Sequence, residues 1–286
     1  MGTSGSYGGS GSKPWQTART AFDAAVTAPA APAAVPTAAG AAAGVAPGDP
    51  VAVLAGAIAN ALWVEDISVR NQRPLPLASI LPGPRGGGGG GGGAGGGGTG
   101  RSWGGGRVGE GSRRDIRRGV QRGATAIAAG YAVRTGDRAA LAQLNLDLDA
   151  LAAMSAFRQC EAILEAVLGE ATHPDDAVLR RASAEQVKAV LTNNTEPNAL
   201  HAIQDFVARY VVEMGLIEIK AQMRVGLPDA EVVAKERTLR DYVRIRIRSF
   251  RNQLTDSGRG LVRTVQETAA QVTREALQIL RVEAPR

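Results

Sequence analysis

The sequence predicts an all-α protein in which a long, disordered N-terminal half rich in Gly, Ala and Pro precedes a helical-bundle domain. Three observations predict it. From Ser112 onward, apolar residues recur at helical spacing with few interruptions. Only Val243–Arg248 (VRIRIR) alternates as a strand would, and its flanks are helical. Of the 37 glycines, 16 fall between Gly86 and Gly106, where no core can form.

Residues 1–48 read as a disordered tail with an Ala/Pro spacer. Residues 1–12 (MGTSGSYGGSGS) hold only Gly, Ser and Thr apart from Met1 and Tyr7. That is too little apolar surface to offset backbone ordering. Lys13-Pro14-Trp15 then supplies one large aromatic, a candidate anchor for a partner. Pro29, Pro32 and Pro36 make the Ala-rich stretch a polyproline-like spacer. The uncharged opening lacks the basic start of a secretory signal.

Residues 49–66 read as a short apolar helix. Asp49 is placed to cap it, Pro50 suits its first position, and Val51, Leu54, Ile58 and Leu62 follow at helical spacing up to Trp63. Two roles stay open: a helix packed on the main domain, or a docking helix held on tethers. Residues 67–110 read as a Pro/Gly-rich linker. Gly104, Gly106 and Gly109 satisfy G-x-G-x-x-G there. With no strand before them, the dinucleotide reading has no support.

Residues 111–286 read as the helical domain. Ser112 is placed to cap a helix reaching Arg134, with Ile116, Val120, Ala124, Ile127 and Tyr131 on one face. Gly119, Gly123 and Gly130 weaken that helix, which predicts close packing against a neighbour. Gly136-Asp137 predicts a stop and a cap for a short successor with Leu141 and Leu144. A longer helix is expected over 148–168, stopped by Gly169. Ser183 and Gln186 read as a capping box for a helix through Leu191, and Thr195-Glu196-Pro197 as the start of the next. Gly226-Leu227-Pro228-Asp229 reads as a stop followed by a cap. Two last helices, 230–255 and 259–281, flank Asp256-Ser257-Gly258. Such a domain is large enough for one core.

Charge is unevenly placed. The formal net charge is +6, made of +1 over residues 1–100, +6 over 101–140 and −1 over 141–286. Arg114, Arg117, Arg118 and Arg122 fall opposite the apolar face of their helix, with Asp115 the nearest acid, and Arg101, Arg107 and Arg113 extend them. This basic face reads as a surface for phosphate, nucleic acid or an acidic protein, or as a solvated face in an arginine-rich chain. A second stripe, Arg240, Arg244, Arg248 and Arg251, has Glu231, Glu236 and Asp241 nearby and reads as a partly neutralised surface.

Little else points to chemistry. Cys160 is the single cysteine, which excludes a disulfide framework and fits a reducing, cytoplasmic setting. It lies on an apolar helix face and reads as a buried hydrophobe. His173 and His201 cannot supply a three-histidine metal site. Asp147 reads as a helix cap rather than half of a catalytic pair with Asp149. There is no P-loop, no HExxH and no G-x-S-x-G. No window reaches the roughly 18 unbroken apolar residues of a spanning helix. The expectation is a chain that is not an enzyme, with no metal, no cofactor and no membrane partner.

One resemblance adds to this reading. Met1-Gly2-Thr3-Ser4-Gly5-Ser6-Tyr7-Gly8-Gly9, followed by Pro14-Trp15, resembles the start of QatB, a component of Qat anti-phage defence systems with no assigned enzyme domain. RRGVQRGATAIAAGYAVRTGD (117–137) and LNLDLDAL (144–151) are similar to that family's helical domain. The glycine run and the Ala/Pro spacer depart from it. The resemblance implies partners from the same operon: an ATPase, a QueC-like enzyme that adenylates a carboxylate, and a TatD-like nuclease. It implies an adaptor or substrate whose N-terminus is presented to the QueC-like enzyme. Gly2 would then be the modification site, with Thr3, Ser4, Gly5 and Trp15 as recognition elements. The alternative is a basic helical scaffold that binds nucleic acid without being modified.

Overall fold

The computed structural model describes residues 13–28, 49–65, 116–171, 174–193, 198–220, 229–249 and 260–283. Every regular element among them is an α-helix, as the periodicity predicts. In chain order they are α1 (Lys13–Thr27), α2 (Pro50–Glu65), α3 (Ile116–Thr135), α4 (Arg138–Ala142) and α5 (Leu148–Ala152). There follow α6 (Ala156–Leu168), α7 (Pro174–Thr192), α8 (Ala199–Lys220), α9 (Asp229–Arg248) and α10 (Leu261–Glu283).

Two helices, α2 and α3, form the inside of the molecule. α2 is apolar along nearly its whole length, and α3 buries 14 of its 20 residues, most of them small, leaving its arginines toward the outside. α2 is packed against α1, α8, α9 and α10, and α3 against α6, α7, α8 and α10. α8 and α10 touch both, so one continuous core results. Asp49 caps α2 as expected, its Oδ1 accepting from the Val51 N–H at 2.8 Å.

One stretch within the first forty-eight residues departs from the expected disorder. Lys13–Thr27, expected inside the disordered tail, is helix α1, and it buries Trp15, Ala18, Phe22, Ala25 and Val26 against the core. Burying two aromatics of this size contributes several kcal/mol, well beyond what a short helix needs to hold its place. The apolar residues sit at 15, 18, 22 and 26, so the helical period was present beneath a low-complexity setting. The boundary expected near residue 110 therefore does not divide the core, since α1 and α2 share it with the helices after residue 115. Residues 1–12, 29–48 and the 67–110 linker lie outside the described residues.

Close approach explains two of the three α3 glycines. A Cβ on Gly119 would stand 2.1 Å from the Tyr210 hydroxyl, and one on Gly123 2.1 Å from Phe206 Cζ. Both rings belong to α8 and stack on each other, centroids 5.8 Å apart. At Gly130 a Cβ would meet only ordinary contacts, from 3.5 Å to Val190, so the packing reason expected there does not hold.

Several boundaries differ from those expected. The 148–168 helix is two, α5 and α6, because Ser155 adopts an extended ψ of 155° and caps α6 through the Arg158 N–H. Gln159 covers the carbonyls freed at the break, donating to Leu151 and Met154. Ser183 is no cap: α7 begins at Pro174 and runs through it, and its hydroxyl is buried. Asn198 caps α8, its side chain accepting from Leu200 and His201, whereas Thr195-Glu196-Pro197 lies outside the described residues. α9 is described as far as Arg248, and residues 250–255 of the expected helix lie outside the described residues. The expected caps Asp137 and Asp147 and the stop at Gly169 are all present. Ser112, 226–228 and 256–258 are outside the described residues.

Candidate functional site

The basic residues fall into two kinds once the helices are packed. Four cations close helix C-termini, where carbonyls have no intrahelical donor. Arg122 donates to the Leu168 carbonyl at the end of α6, and Arg180 to Gly169 just beyond it. Arg134 donates to Val190 and Asn193 at the end of α7, and Lys235 to Ala28 after α1. These side chains hold the fold.

That divides the basic face expected on α3. Arg122 is not part of an open surface. Its side chain is 17% exposed, it pairs with Asp176 at 3.7 Å, and burial, aided by the Arg118 charge, lowers its pKa. Arg117 is half-buried and Arg118 exposed. Arg114, with Gly2, Thr3, Ser4 and Gly5, lies outside the described residues. Trp15, expected as a partner-recognition residue, is 1% exposed and is a core residue instead.

The second stripe forms a built site. Arg240, Arg244 and Arg248 lie one turn apart on α9 and meet acids of α8. Arg244 donates to both oxygens of Asp205 at 3.0 and 3.2 Å, and Arg248 to the same two at 2.7 and 2.6 Å. Arg240 bridges Glu213, at 2.9 Å, and Glu236, at 3.4 Å, both largely buried. Of the acids expected to neutralise this stripe, only Glu236 does so. The others that do, Asp205 and Glu213, lie too far away in sequence for spacing to find them. Arg251 lies outside the described residues.

This stripe borders a cavity of about 710 Å³ between α7, α8 and α9. Arg209 of α8 also lines it and pairs with Glu185 of α7. Burial lowers the Arg209 pKa, with the Glu213 charge opposing. Tyr131 of α3 forms part of the wall. It is 7% exposed, its hydroxyl has no hydrogen-bond partner, and burial pushes its pKa up to about 12.

Of the remaining candidates, Cys160, Asp147 and Asp149 have structural roles. Cys160 is buried, its Sγ lies 3.7 Å from the Ala184 carbonyl, and burial raises its pKa, so thiolate is disfavoured. Asp147 caps α5 through the Asp149 and Ala150 N–H groups. Asp149 is held below the usual carboxylate range by a bidentate bond from Arg138 at 2.8 and 2.6 Å. His201 is exposed in the first turn of α8, and His173 lies outside the described residues. Among the described residues, no three His, Cys, Asp or Glu side chains are grouped to hold a metal. No described helix is long and apolar enough to cross a membrane.

Comparison with known proteins adds one finding. No curated protein and no solved structure matches the chain. The family model of the Qat anti-phage system associated protein QatB matches residues 109–280, which takes in α3 to α9 and most of α10. Since that match spans more than half the chain, the protein belongs to the QatB family and has a role in Qat anti-phage defence.

Proposed function

We propose that this protein is a non-enzymatic adaptor and substrate within the Qat system, its N-terminus presented to a QueC-like partner for modification at Gly2. The observation that carries this reading is the burial of Trp15 at the start of α1. It holds α1, and with it Lys13, on the core, so that the segment before Lys13 is attached at a fixed point. Twelve residues can extend about 40 Å, which is far enough to enter another protein's active site. Removal of Met1 leaves an α-amine on Gly2. Its ordinary pKa of about 8, against about 10.4 for lysine, keeps a useful fraction neutral and nucleophilic. No side chain before Tyr7 is larger than Thr3, so a narrow channel would admit the segment, with Thr3, Ser4 and Gly5 read by the enzyme. An acyl-adenylate formed by the partner would transfer its acyl group to this amine and release AMP. The system's ATPase and TatD-like nuclease are the further partners.

Intact-mass measurement of protein made with and without its neighbouring genes tests this. A mass increase that maps to Gly2 and requires the QueC-like gene is expected. An unmodified Gly2 in the complete system, with full defence by a Gly2→Pro variant, would refute it. The excess of +6 over residues 101–140 favours a second reading, a nucleic-acid scaffold acting without modification. That reading expects tight, strongly salt-dependent binding of DNA or RNA by the unmodified chain.

A further inference from the structure

The α7–α8–α9 cavity has more construction than an ion-pair lattice joining helices requires. Arg240, Arg244 and Arg248 each spend Nε and Nη2 on acids, which fixes the plane of each guanidinium. The Nη1 group of each makes no hydrogen bond or ion pair with the described residues. A row of oriented donors with one edge left over, one helical turn apart, suits the oxygens of a phosphate group, which guanidinium forks bind with little ordering cost.

A second, independent observation points the same way. The Tyr131 hydroxyl is buried beside the cavity with no partner, and so is Arg209 Nε. A buried polar atom left unsatisfied costs about 1–3 kcal/mol, and a ligand with acceptor atoms would remove that cost. The amides of Gln186 and Asn193 also line the cavity. Its volume of about 710 Å³ suits a small molecule and is too small for a folded partner.

We infer that this cavity binds a small phosphorylated ligand, with its phosphate on Arg244 and Arg248, which converge on Asp205, and its body toward Arg240, Tyr131 and the neighbouring amides. The wall carries four guanidinium groups against the carboxylates of Glu185, Asp205 and Asp241, and Glu213 and Glu236 stand behind Arg240. Together these groups carry a formal charge of −1, so no positive field draws the ligand in. Binding comes from oriented, charge-assisted hydrogen bonds, and it falls only modestly with salt, unlike nucleic-acid binding.

Calorimetric titration of the full-length chain with inorganic phosphate, pyrophosphate and AMP, each at low and moderate salt, tests the inference. Saturable binding of at least one is expected, with a raised melting temperature. Tyr131→Phe removes only the orphaned hydroxyl and should weaken binding about threefold to tenfold while leaving the fold intact. Arg244→Gln should weaken it about tenfold or more. Absence of saturable binding at millimolar concentration for all three probes overturns the inference. So does unchanged affinity in Tyr131→Phe, or binding that moderate salt abolishes.

Discussion

Arg118 and Arg122 lie one turn apart on α3, yet only Arg118 faces solvent. Arg122 reaches the end of α6 and is held there by the Leu168 carbonyl and Asp176. Replacing it with glutamine strands that carbonyl and should cost about 1–3 kcal/mol in chemical denaturation. Arg118→Gln should stay within about 0.5 kcal/mol of the parent. Sequence spacing assigns both to one outward side, because it reports position around a helix axis and not what lies beyond it. Tyr131 allows a pH test. Its pKa of about 12 exceeds the ordinary 10.0, so the folded state keeps its proton after the unfolded state has lost it. Stability from this group is complete below pH 10 and declines as pH rises toward 12. Comparing the alkaline absorbance titrations of the parent and Tyr131→Phe should show a missing phenolate near pH 12; a missing component near pH 10 would contradict the burial. Cys160 should resist a thiol reagent in the native protein and react once it is unfolded, since burial opposes the thiolate.

Helix α1 is the element whose absence should be felt most. Trp15→Ala removes its largest buried side chain and should cost about 3–5 kcal/mol, a large part of the usual stability of a domain. Equilibrium denaturation checks this, and a loss below about 1 kcal/mol would place Trp15 outside the core. Gly123→Ala should also destabilise the protein, because Phe206 must leave its stack with Tyr210 to admit a methyl group. Helix starts were legible where a carboxylate caps the first turn, as at Asp49, Asp137 and Asp147. They were not legible where the same residue types occur inside a helix. Ser183 with Gln186 has the capping-box spacing, yet Ser183 lies in the middle of α7 with its backbone already helical. Ser155 does cap, but Arg158 at the third position lacks the return bond of a box, so its pattern was weak.

For the whole molecule, the sharing of one core by segments far apart in sequence has a measurable consequence. Trypsin is expected to cut at Arg101 or Arg107, as the surrounding glycines suggest. The two pieces should stay associated after cleavage, since α2 packs on α8, α9 and α10. Separation by gel filtration without denaturant would contradict that packing. A chain beginning at residue 109, where the family match starts, should lose cooperative melting because it exposes the apolar faces that α1 and α2 cover. By itself the sequence determined the helical class, the caps made by neighbouring residues and the resemblance to QatB. These depend on contacts within a few residues, which spacing encodes directly. Only the tertiary structure decided that Trp15 is a core residue, that Arg122 closes a helix end and that three arginines of α9 share a cavity with Tyr131. Asp205 meets Arg244 and Arg248 across 39 and 43 residues. A pairing of that kind depends on which helix faces meet, and helical periodicity specifies each face without naming its partner.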